Sequence, residues 1–189
     1  MSAEKKILRG IVAGLAAFGL QTQLHAQNWI LTEDSFVSFN IKTVGLSVVQ
    51  GVSVQPQSRL YFDMRTPQNA WVQVNVPASS LKFSNPVLKP MILGESFFDA
   101  AQFKNVSFKS TEFVPQNQDR YWVYGDLTLR GVTRPVTFDV LLRPNAANTK
   151  LLDVQAAGTI NRSDFGMKKS FGDVGEKVHI QLIGQWQIK

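Results

Sequence analysis

Cysteine is absent from the chain, and histidine occurs only twice, as His25 and His179. Without a thiol there is no disulfide, no zinc–thiolate centre, no thiol nucleophile and no cysteine to carry a lipid anchor. The histidines are too few for a His-rich metal site, and His179 falls on the polar face of an alternating stretch, where it reads as surface decoration. Glycine-rich phosphate loops are also missing: Gly172-Asp173-Val174-Gly175 precedes a strand pattern, not a helix, and reads as a turn. No apolar run reaches the about 20 residues of a membrane-spanning helix. Basic residues outnumber acidic ones, 20 to 14, but they are scattered singly beyond the N-terminus except for Lys168-Lys169. A dispersed excess of this size is solvated surface charge and leaves no nucleic-acid footprint.

The N-terminus has its own pattern. Lys5, Lys6 and Arg9 precede an apolar run from Ile11 to Leu20, and a polar step ends in Leu24-His25-Ala26. That order is the signature of a cleaved secretory signal peptide over residues 1–26, leaving 27–189 as one exported domain, soluble and periplasmic. Because export leads to an oxidising compartment and no disulfide is available, stability must come from the core.

Period-two alternation dominates the rest. Tyr121, Val123, Leu127 and Leu129 share a face with Gly125, while Val136, Phe138, Val140 and Leu142 alternate with polar neighbours. The pair reads as a hairpin turning through Leu129 to Pro135, with Gly131 supplying the positive φ and Pro135 opening the second arm. Shorter alternating runs precede it. They are Trp29-Ile30-Leu31; Val37, Phe39 and Ile41; the glycine-bent Val44 to Val54; Arg59 to Met64; Val72, Val74 and Val76; and Val106 to Val114. Leu151 to Ile160 and Val178 to Ile188 follow it. Between Pro77 and Phe103 the alternation stops, and the spacing predicts a loop with one short helix at about Lys89 to Phe98. Of the adjacent Phe97 and Phe98, one is expected to plug the end of the sheet and the other to stay half exposed.

Eight or more strands joined by hairpin-length links predict an all-β fold, an eight-stranded antiparallel barrel with one short helix. A two-sheet sandwich fits the same periodicity. An eight-stranded barrel is just wide enough for its own side chains or for one small ligand. The chain carries 13 Phe, 4 Trp and 3 Tyr, which would serve a filled core or an apolar guest equally. Asp126, Asp139, Asp164, Asp173 and Glu176 show no spacing that singles out an acid–base pair, so no catalytic or metal-binding residue is assigned. An enzyme using paired carboxylates and a ligand-free interaction module stand as the alternatives to a binding protein.

The segment from Gly125 through Leu127-Thr128-Leu129-Arg130-Gly131-Val132-Thr133-Arg134-Pro135-Val136 resembles the YceI family of polyisoprenoid-binding periplasmic proteins. Four other stretches resemble it in the same order. They are Trp29 with Asp34-Ser35 and Val37-Ser38-Phe39; Phe97-Phe98-Asp99-Ala100 through Thr111; Ile160 to Met167; and Gly175-Glu176-Lys177-Val178. The resemblance implies a lipocalin-like barrel whose apolar channel holds a polyisoprenoid chain, such as the tail of a quinone or a polyprenyl phosphate. Such a lipid would be the ligand and no resident cofactor is implied; transient membrane contact and a homodimer are compatible with that role. The residues expected to line the channel, by alternation and motif, are Phe39, Ile41, Trp71, Val74, Phe97, Phe98, Phe108, Tyr124, Phe138, Phe165, Met167 and Trp186. Arg162 has two readings: it meets the head group, or it pairs with Asp164 in a turn that Asn161 and Asp164 hold. Against the family pattern stand Thr43, Gly51-Val52-Ser53, Met91-Ile92-Leu93-Gly94 and Lys104-Asn105. These make the expected entrance more apolar and favour a neutral amphiphile, such as a quinone, a fatty amide or a fatty acid.

Overall fold

The structure, a computed structural model, describes residues 27–43, 48–54, 56–167 and 174–189. The expected leader at 1–26, the glycine bend at 44–47, the Lys168-Lys169 pair and Asp173 of the glycine turn lie outside the described residues. The strands are β1 (Gln27–Leu31), β2 (Phe36–Thr43), β3 (Val48–Val54), β4 (Gln57–Phe62), β5 (Trp71–Pro77) and β6 (Lys82–Phe83), followed by helix α1 (Lys89–Leu93). After the helix come β7 (Asn105–Pro115), β8 (Arg120–Leu129), β9 (Val132–Pro144), β10 (Leu151–Asn161) and β11 (Val174–Ile188).

β1 and β2 act as one long strand broken at Thr32 to Ser35, and β3 and β4 as its bent partner: Trp29 lies opposite Leu60 and Phe39 opposite Gly51. The break is pinned by Ser35, whose hydroxyl accepts from the Gln185 amide at 3.1 Å. From β4 the ladder runs through β5, β7, β8, β9 and β10 to β11. The last strand then closes the circle, because its first half pairs with β2 and its end, Trp186 to Ile188, pairs with β1. The result is a closed antiparallel barrel of eight staves, two of them bent. Closure removes the sheet edges that an open sandwich would leave.

One seam remains. β5 pairs with β4 and not with β3, so β3 meets only the short β6 on its far side. The segment from Ala78 to Lys104, carrying β6 and α1, covers that end of the barrel and is tied at its base by the Ala78 amide donating to the Lys104 carbonyl at 2.8 Å.

Two local details differ from the sequence expectation. The central hairpin turns in two residues, Arg130 and Gly131, at φ +54° and +71°, with Leu129 facing Val132. Two successive positive φ values make the tight hairpin turn whose twist matches the flanking strands. Pro135 therefore lies inside β9, in the part that pairs with β8 alone, where a missing N–H is tolerated. Helix α1 stops at Leu93, because Gly94 turns to an extended conformation at ψ 176°. Phe97 and Phe98 thus sit on a turn after the helix, held by the Phe98 amide donating to Ile92 at 3.0 Å.

The inward side chains form two apolar clusters along the axis. At the β1 end, rings make a closing layer: Phe62 and Tyr121 meet edge to face at 5.7 Å, and Phe113 packs on Tyr121 at 6.4 Å. At the other end Leu81, Ile92 and Phe97 come down from the covering segment onto Ile41, Leu129 and Ile160.

Candidate functional site

Between these clusters the lumen holds two adjoining cavities, of about 120 Å³ and about 70 Å³. Val37, Val76, Val106, Leu127 and Ile180 are walls of both, so the two are chambers of one lumen. The larger is bounded by Val74, Phe108, Phe138, Leu182 and Trp186 and reaches down to Phe113 of the ring layer. The smaller lies under the covering segment, against Phe39, Ile41, Phe97, Phe98 and Met167, and among the described residues Ser38 is its one polar neighbour.

Glycines keep the axis open by letting three phenyl rings lie against the wall. A Cβ on Gly51 would come within 2.3 Å of the Phe39 ring, one on Gly125 within 2.6 Å of Phe108, and one on Gly158 within 2.7 Å of Phe138. Each ring covers the bare backbone of a neighbouring strand and does not cross the lumen. Phe108 and Phe138 meet edge to face at 5.1 Å, a favourable ring geometry, and both remain only half-buried.

Among the residues expected to line a channel, Trp71 and Tyr124 point the other way. Both are about 40% exposed on the outer face, and Trp71 lies parallel to Tyr61 with ring centroids 6.3 Å apart. Strand phase decides this: Val72 and Val74 face in, so Trp71 faces out, and Val123 and Gly125 force Tyr124 out. Phe165 is fully buried in the upper cluster but lines neither cavity. Phe98 is half-buried yet still turned inward, packing on Phe39 at 5.6 Å.

Arg162 also lies outside both linings. Its side chain is wholly buried behind Phe97, 5.5 Å from the ring centroid, where Nε donates to the Gly175 carbonyl at 2.9 Å. Among the described residues its carboxylate neighbour is Glu176, at 4.0 Å, and not Asp164. Glu176 in turn accepts from the Ser163 amide at 3.0 Å and from its hydroxyl. Asp164 is taken by the Asn161 amide at 3.2 Å, so Asn161 and Asp164 do bridge the turn, but side chain to side chain. The reason is the short 3-10 turn from Arg162 to Phe165, which sends Arg162 and Phe165 inward and leaves Asp164 exposed.

Of the carboxylates considered for acid–base work, Asp126 and Asp164 are exposed, Asp139 is paired with Arg120, Glu176 lies beside Arg162, and Asp173 is outside the described residues. Among the described residues none lines either cavity, and no cluster of three or more His, Cys, Asp or Glu could hold a metal. His179 is exposed, with Nδ1 3.0 Å from the Thr159 hydroxyl. Asp139 is held below the usual carboxylate range by its hydrogen bond from Arg120, and Asp153 by hydrogen bonds from Asn145 and then Gln185. Asp63 is lowered by the Arg65 amide. A folded pKa below the unfolded one stabilises the fold above the unfolded value and loses that effect as pH falls through the folded one. Thermal stability is therefore expected to be level down to about pH 5 and to decline below about pH 4. Because no titratable side chain among the described residues borders the lumen, uptake of a neutral apolar chain should not vary between about pH 5 and 8. Thermal melts and a binding titration across this range check both statements.

The YceI-like domain model matches residues 29–185. The chain belongs to the YceI-like family. Among YceI-like relatives, a UPF0312 protein of Yersinia pestis is 30% identical over 182 residues, covering 94% of each chain. The crystal structure of BcnA from Burkholderia cenocepacia superimposes with a TM-score of 0.73 at 21% identity, over 82% of this chain and 96% of that one. A polyisoprenoid binding domain from Saccharophagus degradans, implicated in plant cell wall breakdown, superimposes with a TM-score of 0.69 at 11% identity. That superposition covers 87% of this YceI-like chain and 100% of the other. At such identities the two structures share the fold.

Several lining residues escaped the sequence reading. Val37, Val76, Leu127, Ile180 and Leu182 were in phase with recognised inward residues, so alternation alone could have found them. Gly158 and Gly125 carried no such signal, because their role depends on a ring from the next strand.

Proposed function

We propose that this YceI-like protein binds a long-chain isoprenoid, or a comparable amphiphilic lipid, inside its barrel and carries or sequesters it in the periplasm without converting it. The observation that carries this reading is the lumen itself: two adjoining chambers walled by branched and aromatic side chains, with rings closing one end. Burial at about 25 cal/mol per Å² accumulates along an apolar tail, so affinity needs no charged contact. The polyisoprenoid binding named for the Saccharophagus domain supports the ligand class, and the basic and apolar leader supports export.

Each chamber is smaller than the roughly 300–1,000 Å³ of a drug-sized site. A long tail therefore fills both and turns side chains aside, and the half-buried Phe108 and Phe138 with the flexible Met167 are suited to that. Since Arg162 stands behind Phe97, no cation among the described residues lines the lumen, which favours a neutral head group such as a quinone. Native mass spectrometry of the exported protein is expected to release a long-chain lipid, and titration with an isoprenoid quinone to quench Trp186 on the chamber wall. Repeated recovery of lipid-free protein that also leaves the quinone unbound would overturn the proposal.

A further inference from the structure

We infer that the covering segment is a docking surface for an anionic bilayer, with Val87 as its inserted tip; this rests on the carrier reading and says where cargo is exchanged. Val87 is 82% exposed, the most exposed large apolar side chain among the described residues. It is held there by structure: Pro86 precedes it, and Asn85 accepts from the Val87 amide through its side chain at 3.1 Å and from the Leu88 amide through its carbonyl at 3.1 Å. Pro90 lies exposed beside it, while Leu88 and Met91 are half-buried against the upper cluster.

Along the chain from Pro77 to the end of the helix the charges have one sign. From Pro77 to Gly94 the chain carries Lys82 and Lys89, both exposed, and no acid, and the neighbouring β3 has none either. The first acids, Glu95 and Asp99, follow the helix, and Lys104 closes the base of the segment. An apolar tip flanked along the chain by two exposed lysines suits the boundary between headgroups and acyl chains, with the ammonium groups on anionic lipid phosphates. The opposite side of the same segment supplies Leu81, Ile92, Phe97 and Phe98 to the smaller chamber. A bilayer touched by Val87 is thus separated from the lumen by one layer of chain, and a water-insoluble tail passes between them without crossing bulk water.

Flotation of the purified protein with vesicles of phosphatidylethanolamine and phosphatidylglycerol, against vesicles of phosphatidylcholine, tests this. The protein is expected to float with the anionic vesicles. Val87→Asp should weaken that on the order of tenfold, and Lys82→Glu with Lys89→Glu should remove the preference for phosphatidylglycerol. All three positions are exposed, so melting temperatures should match the unsubstituted protein. No flotation with anionic vesicles, or Val87→Asp floating undiminished, would overturn the inference. Quinone uptake from detergent micelles is measured in parallel. Uptake without docking refutes the docking surface alone, and docking without uptake refutes the carrier reading on which it rests.

Discussion

Gly158→Ala is expected to cut quinone uptake on the order of tenfold, because the new methyl occupies the place of the Phe138 ring. The clash is 2.7 Å to the ring and 3.1 Å to the Thr137 carbonyl, so the flexible ring moves and the backbone stays. The ring already lines the larger chamber, and moving away from Gly158 is expected to carry it into that space. The stability cost should be about 1–2 kcal/mol, since overpacking of about 1–3 kcal/mol is partly offset by the lower flexibility of alanine in the unfolded chain. Adding Phe138→Ala to Gly158→Ala removes the displaced ring and is expected to restore uptake, though the double variant melts lower for want of the ring's packing. Uptake by Gly158→Ala equal to that of the parent would show that the lumen does not depend on where this ring lies. A double-mutant cycle read by quinone titration and thermal melts separates the two effects.

Arg162→Ala is the substitution expected to cost most stability, about 2–4 kcal/mol, with Tm lower by roughly 5–15 °C. The guanidinium is wholly buried, whereas its partner Glu176 is 39% exposed, so the full cost of breaking a buried pair is discounted for the water that reaches the carboxylate. Removal strips the Gly175 carbonyl of a donor and leaves Phe97 without the cation behind its face. Arg162→Lys should recover only part of the loss, because an ammonium cannot combine a planar fork with stacking on a ring. Chemical denaturation of both variants measures this. Quinone uptake by the folded fraction should change far less than stability, since Arg162 borders neither chamber; a selective loss of uptake with an unchanged melt would assign it to the ligand instead.

The barrel was legible because half-buried strands write their phase into the sequence. In β8 the inward set Tyr121, Val123, Leu127 and Leu129 is buried as alternation required. Trp71 and Tyr124 break the expectation because their own strands' phase, set by Val72 and Val123, turns them outward. Where no period exists, sequence spoke less clearly. The 3-10 turn at Arg162 exchanged the expected Asp164 partner for Glu176, a residue on the following strand. The tightness of the central turn was hidden because a positive φ at Arg130 is uncommon for a residue with a side chain. The open axis was the least legible feature. It arises from pairs such as Phe138 and Gly158, which meet only once β9 and β10 lie side by side.

The ring layer of Phe62, Phe113 and Tyr121 has a consequence for how cargo would travel. If the proposed carrier reading holds, the ring-closed base leaves the covered end as the way in, so a hydrocarbon would enter far end foremost and leave in reverse. On that reading the protein would work as a ferry and not as a conduit. Whatever receives the passenger meets its polar end first, while the depth of the well sets how long a passenger can board.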